Sequence, residues 1–321
     1  MLSGSVNPRK CAIIGCGQVG ATIAYAYAKS GLFSHILLLD INKEKAEGEA
    51  MDLSHGVPFL SPVTITTGQY SDLADVSLIV IAAGAAQQEG ETRLQLLSKN
   101  MKVYSQIVSQ ITRYTTNAIL LVVTNPVDIL TLYTIRISGY PPHRVIGSGT
   151  VLDTARLKQL MGEYLEADSR NVHAFVIGEH GDSELPVWSG ANVSGINLID
   201  YFRTVGTCRD ASCLDVMFRE VRDAAYKIIS AKGATYYAIA EAVLRITESI
   251  VRGENSVLTV SAYLEGQYGL YDVCLGVPAV VGREGIRQVL DIPLSGEELS
   301  LLQASARTLT SEIESTMLHY L

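Results

Sequence analysis

The stretch "KCAIIGCGQVG" (residues 10–20) decides the fold, because it is a short apolar run that leads directly into a glycine-rich turn. Gly15, Gly17 and Gly20 have the GxGxxG spacing of a dinucleotide-binding turn between a strand and a helix. Glycine is needed there because the chain turns tightly, a pyrophosphate approaches the backbone, and the helix packs close to the strand. The N–H groups that begin the helix attract phosphate oxygens. We therefore expect a dinucleotide to contact Gly15, Gly17, Gln18, Val19 and Gly20.

Asp40 ends the second apolar run, "HILLLD" (35–40), 20 residues after Gly20. A carboxylate at this position accepts hydrogen bonds from the ribose hydroxyls of NAD and repels the 2′-phosphate of NADP. The spacing therefore predicts NAD as the cofactor. The alternative is that Asp40 only caps the helix that follows it.

The first half of the chain alternates apolar runs with helical segments, and the runs "SLIVIAA" (77–83) and "AILLVVT" (118–124) continue the series. Continuous Ile/Leu/Val runs separated by helices are typical of a parallel sheet covered on both faces. The pattern predicts an α/β fold with a Rossmann-type doubly wound parallel sheet. We assign residues 1–148 to an NAD-binding domain.

The pattern changes after about residue 149, where a second, α+β substrate domain is expected over residues 149–321. A long helical region is interrupted at Gly233, and a terminal helix begins near residue 295. The predicted strands between and before these helices are "NVHAFVIG" (171–178), "SVLTVSAYL" (256–264), "VCLGVPAVVG" (273–282) and "IRQVLDI" (286–292), the last three joined as an antiparallel meander.

Composition excludes several partners. The net charge of −8 argues against nucleic acid and anionic membranes, both of which need basic patches. The amino-terminal residues lack a signal-peptide pattern, and no apolar run reaches the roughly 18 residues of a membrane span. Five cysteines without a CxxC pair are interpreted as reduced thiols in a cytoplasmic protein.

Two segments of the second half carry acid–base chemistry. In "LDTAR" (152–156), Asp153 and Arg156 share one face of a helix; in "GEHGDSE" (178–184), His180 lies between two glycines that allow a bend. Histidine suits proton donation to the alkoxide formed by hydride transfer, and a carboxylate on its other nitrogen would fix the tautomer and raise its pKa. The alternatives are a surface ion pair and an ordinary core or loop histidine.

Six segments in this order resemble the lactate/malate dehydrogenase family, and within it the bacterial L-lactate dehydrogenases, over nearly the whole chain. They are "GCGQVG" (15–20), "AAGAAQQEGETRL" (82–94), "VVTNPVDIL" (122–130), "GSGTVLDTARL" (147–157), "GEHGDSELPVW" (178–188) and "KGATYYAIA" (232–240). The resemblance implies reversible hydride transfer between NADH and pyruvate to give L-lactate and NAD.

The resemblance also implies roles for individual residues. His180 is the expected proton donor and acceptor, Asp153 its partner, and Arg156 a two-pronged clamp for the substrate carboxylate, which its planar fork suits. Arg93 polarises the ketone from a lid over residues 84–93, where a falling dielectric strengthens its effect once the lid closes.

Five further contact residues are implied by the same resemblance. Asn125 orients the carbonyl oxygen next to the nicotinamide, and its bond to Pro126 is expected to be cis. Thr235 lines the substrate pocket and Ile239 packs against the nicotinamide, while Ala83 and Gly84 contact the cofactor.

Gln87 predicts the choice of substrate, because malate enzymes of this family carry arginine at that position. A dicarboxylate would meet a neutral amide there, which costs about 2–4 kcal/mol, or roughly two to three powers of ten in rate. Glu89 adds repulsion. Pyruvate is therefore favoured over oxaloacetate. Malate dehydrogenase, an enzyme for a bulkier 2-hydroxy acid, and a catalytically silent NAD-binding structural or sensor protein are the alternatives.

Regulation and assembly are implied only by the resemblance. His173 matches a histidine that binds fructose 1,6-bisphosphate at a subunit interface in activated bacterial enzymes, whereas Lys158 replaces an arginine there. Lysine binds phosphate as a point charge without the fork, so the effector site stays open. A homotetramer is expected, and no metal site is predicted.

Overall fold

A parallel sheet fills the first half of the chain in the computed structural model, which describes residues 7–85, 93–206 and 212–317. Its strands are β1 (Asn7–Ile14), β2 (His35–Leu39), β3 (Thr64–Thr67), β4 (Val76–Ile81), β5 (Ile119–Val122) and β6 (Val145–Gly147). The helices of this half are α1 (Gln18–Ser30), α2 (Lys43–Gly56), α3 (Arg93–Tyr114) and α4 (Val127–Ser138). The order β3-β2-β1-β4-β5-β6, with every neighbouring pair parallel, confirms the Rossmann-type doubly wound sheet.

The second half adds a short-stranded region, a helical layer and a meander. Its elements are α5 (Val151–Tyr164), β7 (Val172–His173), β8 (Val176–Ile177), β9 (Leu185–Pro186), β10 (Asn192–Val193), β11 (Ile196–Asn197), α6 (Leu198–Val205), α7 (Ser212–Lys232), α8 (Tyr237–Arg252), β12 (Ser256–Glu265), β13 (Tyr271–Gly282), β14 (Gly285–Val289) and α9 (Gly296–Met317). Strands β12 to β14 form the predicted antiparallel meander.

The meander does not form a sheet of its own. Strand β12 pairs antiparallel with β6 through Ser261 and Gly147, so that β12 to β14 extend the parallel sheet to nine strands. The larger apolar core accordingly contains residues of both halves, and Tyr27 of α1 is hydrogen-bonded to Thr247 of α8 at 2.5 Å. A smaller core lies between α5, α6, α7 and the short strands.

Three elements differ from the expectations. Strands β3 and β6 were not predicted, since each has four residues or fewer and little apolar sequence of its own. The predicted strand over residues 171–178 is two strands, because β7 pairs with β10 whereas β8 pairs with β9. At the start of β8 the Val176 N–H donates to Thr154 Oγ1 of α5 at 2.9 Å.

The state of the cysteines and the length of the helices bear on two expectations from the sequence. Cys11, Cys16 and Cys274 are free, as expected, but Cys213 is disulfide-bonded, so that the interpretation of all five cysteines as reduced thiols is wrong. Among the described helices, none is long and apolar enough to cross a membrane.

Candidate active site

The turn after β1 has the close contacts that require glycine. Gly15 has φ +102°, and a Cβ there would lie 2.5 Å from the Ala83 backbone nitrogen; a Cβ at Gly20 would lie 1.8 Å from the Gly15 carbonyl oxygen. A Cβ at Gly17 would meet nothing within 4 Å, so this glycine faces open space. Gly17 begins α1 without a side-chain cap, and the first turn of the helix contains no acid. The N–H groups at this helix end therefore fit a pyrophosphate.

Asp40 lies at the carboxyl end of β2, facing this turn. Its Oδ2 accepts a hydrogen bond from the Cys16 N–H at 2.6 Å, and its Oδ1 accepts one from the Asn42 N–H at 2.8 Å. The cap of α2 is Asn42, whose Oδ1 accepts from the Lys45 N–H at 3.0 Å. The interpretation of Asp40 as a helix cap is therefore excluded, and its carboxylate is fixed at the edge of the cleft.

A cavity of about 940 Å³ opens at the carboxyl ends of β1, β2 and β4. Five of the ten residues predicted to contact the cofactor line it, namely Gly15, Gly17, Asp40, Ala83 and Gly84. The other five do not line the cavity, namely Gln18, Val19, Gly20, Asn125 and Ile239. The cavity also has lining residues that the motifs did not single out, among them Lys43, Lys45, Tyr70, Gln106 and Gln110.

The structure brings the predicted acid–base residues together. His180 Nδ1 lies 2.6 Å from Asp153 Oδ2, and Arg156 Nη1 donates to Asp153 Oδ1 at 2.7 Å. The side chains of Asp153, Arg156 and His180 are 2%, 14% and 22% exposed, so the Asp153–Arg156 pair is not a surface ion pair. A guanidinium has five N–H donors, and this bond leaves others for a substrate carboxylate.

The electrostatics of this cluster favour a protonated imidazole. Burial alone lowers the pKa of His180, but the carboxylate of Asp153, assisted by that of Asp128, outweighs it and raises the His180 pKa to about 9. Burial opposes ionisation of Asp153, yet His180 and Arg156 hold its pKa below the usual value. The imidazole can therefore donate a proton at neutral pH.

Asp128 holds the backbone of the histidine turn, a role that the sequence analysis missed. Its Oδ2 accepts from the His180 N–H at 2.8 Å and its Oδ1 from the Ser261 hydroxyl at 2.5 Å. The residue is buried, and this burial raises its pKa to about 6. The only signal in the sequence was its place within "VVTNPVDIL", where a buried acid follows an apolar strand.

Asn100 of α3, also missed, joins the start of the predicted lid to the turn after β5. Its Oδ1 accepts from the Ala85 N–H at 2.7 Å, and its Nδ2 donates to the Asn125 carbonyl at 2.9 Å. The side chain is buried, and a polar residue at a buried helix position was a signal that the apolar pattern alone did not exploit. The Asn125–Pro126 bond is cis, as expected.

The remaining predicted residues are placed as follows. Asn125 is exposed in the turn after β5, Thr235 is half-buried in the connection between α7 and α8, and Ile239 is half-buried on α8 against the larger core. Gln87 lies outside the described residues. Arg93 is the first residue of α3, and its side chain also lies outside the described part.

The predicted effector residues lie on two neighbouring elements. His173 ends β7 and is exposed, whereas Lys158 is half-buried on α5, which packs against β7. Burial lowers the pKa of Lys158. A phosphate near this ammonium would compensate for the lost hydration.

Glu184 lies beside Asp153 and His180. Among the described residues, Asp153, His180 and Glu184 form the one group whose possible metal-ligating atoms all lie within 4.8 Å of one another. The guanidinium of Arg156 is already bound to Asp153, which disfavours a divalent cation there because like charges repel.

Comparisons with known proteins agree with this geometry. Residues 9–147 match the NAD binding domain of lactate/malate dehydrogenase, and residues 150–318 match its alpha/beta C-terminal domain. The L-lactate dehydrogenase of Acetivibrio thermocellus is 52% identical over 306 residues, covering 95% of this chain and 96% of its own length. L-lactate dehydrogenase 1 of Clostridium acetobutylicum is 49% identical, covering 95% of this chain and 98% of its own length.

Solved structures lead to the same family. A lactate dehydrogenase from a Medee basin deep-sea metagenome library has a TM-score of 0.94 at 43% identity, covering 96% of this chain and 98% of that one. The minor L-lactate dehydrogenase of Enterococcus mundtii has a TM-score of 0.93 at 39% identity, with the same coverage. With an NAD-binding turn and a His–Asp–Arg cluster on the fold of these relatives, the chain belongs to the lactate/malate dehydrogenase family.

Proposed function

We propose that this protein is an NAD-dependent L-lactate dehydrogenase, which reversibly converts pyruvate and NADH to L-lactate and NAD. The observation that carries the proposal is the single buried carboxylate of Asp153, which orients both His180 and Arg156. An imidazole and a guanidinium on one carboxylate suit a small substrate that has a keto group beside a carboxylate. The relatives named L-lactate dehydrogenase support the same activity.

In this mechanism the protein holds the substrate and moves one proton. Arg156 binds the substrate carboxylate through its remaining donors, and Nε2 of His180 donates a proton to the ketone oxygen as negative charge develops there. Asp153 fixes the tautomer through Nδ1 and stabilises the imidazolium. Bound NADH supplies the hydride. In lactate oxidation the neutral His180 accepts the proton.

The lid completes the proposed site. Arg93, at the first position of α3, is proposed to polarise the carbonyl, and Asn125 and Thr235 to contact the substrate. Gln87 is proposed to select against a second carboxylate. Of the cofactor contacts, Gln18, Val19 and Gly20 are proposed at the phosphates, Asp40 at the ribose, and Asn125 and Ile239 at the nicotinamide.

Loss of NADH absorbance with pyruvate or oxaloacetate tests this function. We expect pyruvate to be favoured in kcat/KM by roughly two to three powers of ten, because oxaloacetate leaves its second carboxylate unpaired. Gln87→Arg should move the ratio toward oxaloacetate. Gln88→Arg is the matched control, as it adds the same charge one position along. No turnover of pyruvate by the wild-type protein overturns the activity, and equal ratios in both variants remove Gln87 from the specificity.

Assembly, regulation and location are part of the proposal. We propose a homotetramer in the cytoplasm, with fructose 1,6-bisphosphate bound near His173 and Lys158. The half-buried ammonium of Lys158, whose pKa is lowered by burial, supports an anionic ligand at this position.

A further inference from the structure

Glu184 is a buried acid for which the proposed mechanism has no role. The residue is 7% exposed and lies just before β9, after the histidine turn. Its carboxyl lies within 4.8 Å of the Asp153 carboxylate and of a ring nitrogen of His180. The Glu184 carboxyl therefore faces the Asp153 carboxylate, the proposed partner of His180, with little exposure to solvent.

Two buried carboxyl groups within 4.8 Å of each other favour a proton on one of them, since two unscreened negative charges repel and an ionised carboxylate can only accept a hydrogen bond. Asp153 already accepts from His180 Nδ1 and from Arg156 Nη1, and both cations favour its ionised form. The shared proton therefore resides on Glu184. In agreement, burial and the charge of Asp153 raise the pKa of Glu184 well above its usual range.

The charges around the site explain why a neutral acid is needed. His180 and Arg156 contribute two cations, and Asp153 and Asp128 contribute two carboxylates that already balance them. Glu179, a further buried acid, raises the pKa of Asp128. An ionised Glu184 would add a negative charge where the substrate carboxylate must bind, and burial would leave that charge poorly screened.

We propose that Glu184 is a positioning and specificity-determining residue, which as an un-ionised acid donates a hydrogen bond to Asp153 and keeps the site receptive to a monocarboxylate. This inference rests on the proposed function. It makes Glu184 act through Asp153, not on the substrate directly. Its proton stays in place at neutral pH and is lost at alkaline pH, where ionisation repels the substrate.

Glu184→Gln and Glu184→Leu separate this role from simple packing. Glutamine is neutral and still donates to Asp153, so kcat/KM for pyruvate at pH 7 should stay within about twofold of wild type. Leucine has no donor, and kcat/KM should fall about tenfold or more. Between pH 8 and 10, the KM for pyruvate should rise less in Glu184→Gln than in wild type, because the variant cannot ionise. Glu163→Gln, on the exposed face of α5, is the matched control.

Infrared difference spectra of the protein without substrate give a readout independent of turnover. At pH 7 the wild-type protein should have the carbonyl band of an un-ionised carboxylic acid that is absent from Glu184→Gln. Absence of that band, loss of neutral activity in Glu184→Gln as large as in Glu184→Leu, or identical KM profiles overturn the inference. The infrared result does not depend on turnover, and the two kinetic results are obtained only if the wild-type protein turns over pyruvate. Failure of this inference is therefore distinct from failure of the proposed function.

Discussion

At the scale of single residues, the decisive feature is how Asp153 divides its two oxygens. One oxygen bonds to the imidazole and the other to the guanidinium, so a single buried carboxylate orients both the proposed proton donor and the proposed carboxylate clamp. Sequence spacing predicted that Asp153 and Arg156 share a helix face. It did not predict that the pair is buried, because burial depends on how α7, α8 and β8 pack against α5.

Replacement of Asp153 by asparagine should separate these effects. The charge of Asp153 raises the His180 pKa to about 9, so pyruvate reduction by wild type should persist to about pH 9 and decline above it, as the imidazole loses its proton. In Asp153→Asn the alkaline limit should move down by about 1–3 pH units, and kcat should fall at neutral pH. The measurements are the pH profile of the single-turnover rate constant for pyruvate reduction and the steady-state kcat at neutral pH.

Asp168→Asn is the control for this profile, because Asp168 is an exposed acid that pairs with Arg170 on the surface. Its alkaline limit should match that of wild type. An Asp153→Asn profile that coincides with wild type would remove the carboxylate from the proton relay.

At the scale of elements, the strand ends bring distant segments to one site. The turn after β1, Asp40 after β2 and Ala83 after β4 were predictable, because continuous apolar runs mark parallel strands and their carboxyl ends share an edge. Strands β3 and β6 were not, since short strands carry too few apolar residues to form a pattern.

Contacts made by buried polar side chains were also beyond the sequence. Asp128 and Asn100 satisfy backbone groups of other segments, and periodicity does not reveal such partners. The roles of Gln87 and Arg93 remain predictions, because their side chains lie outside the described part of the chain.

Asn100→Ala should weaken the link between the start of the lid and the turn at Asn125. The substitution leaves the Ala85 N–H and the Asn125 carbonyl each without the side-chain partner that Asn100 provides, so the free energy of unfolding should fall by about 1–3 kcal/mol. The value of kcat with pyruvate should also fall, because the two segments lose their common anchor. Urea denaturation and steady-state rates measure the two effects.

Asn117→Ala, an exposed asparagine before β5, is the control, and it should leave both quantities near wild type. Should Asn100→Ala lower stability without any change in kcat, the link would be structural only and would not position the site.

At the scale of the whole molecule, the proposed effector site is distant in sequence from the lid but lies on the helix that carries Asp153 and Arg156. Lys158 is two residues after Arg156 on α5, so a phosphate held by Lys158 and His173 would restrain the same helix. The inter-subunit contacts that a homotetramer would add are not readable from apolar patterns, because interface and core residues share the same composition.

Fructose 1,6-bisphosphate should therefore lower the KM for pyruvate, and Lys158→Ala and His173→Ala should abolish the change. Lysine lacks a fork, so we expect weaker binding than an arginine would give. Lys227→Ala, an exposed position on α7, is the control. Steady-state kinetics with and without effector, together with size-exclusion chromatography of each variant, make the measurement; a KM indifferent to the effector would rule out activation.

The pairing of β12 with β6 has a mechanical consequence. One continuous sheet extends from the nucleotide cleft to the far edge of the meander. The two halves therefore cannot hinge apart without breaking main-chain hydrogen bonds between β6 and β12 near Ser261. The Ser261 hydroxyl also donates to Asp128, which accepts from the His180 N–H, so this strand pairing is linked to the histidine turn through Asp128. A hinge motion between the two halves is therefore disfavoured as the route by which reactants enter and leave the proposed site.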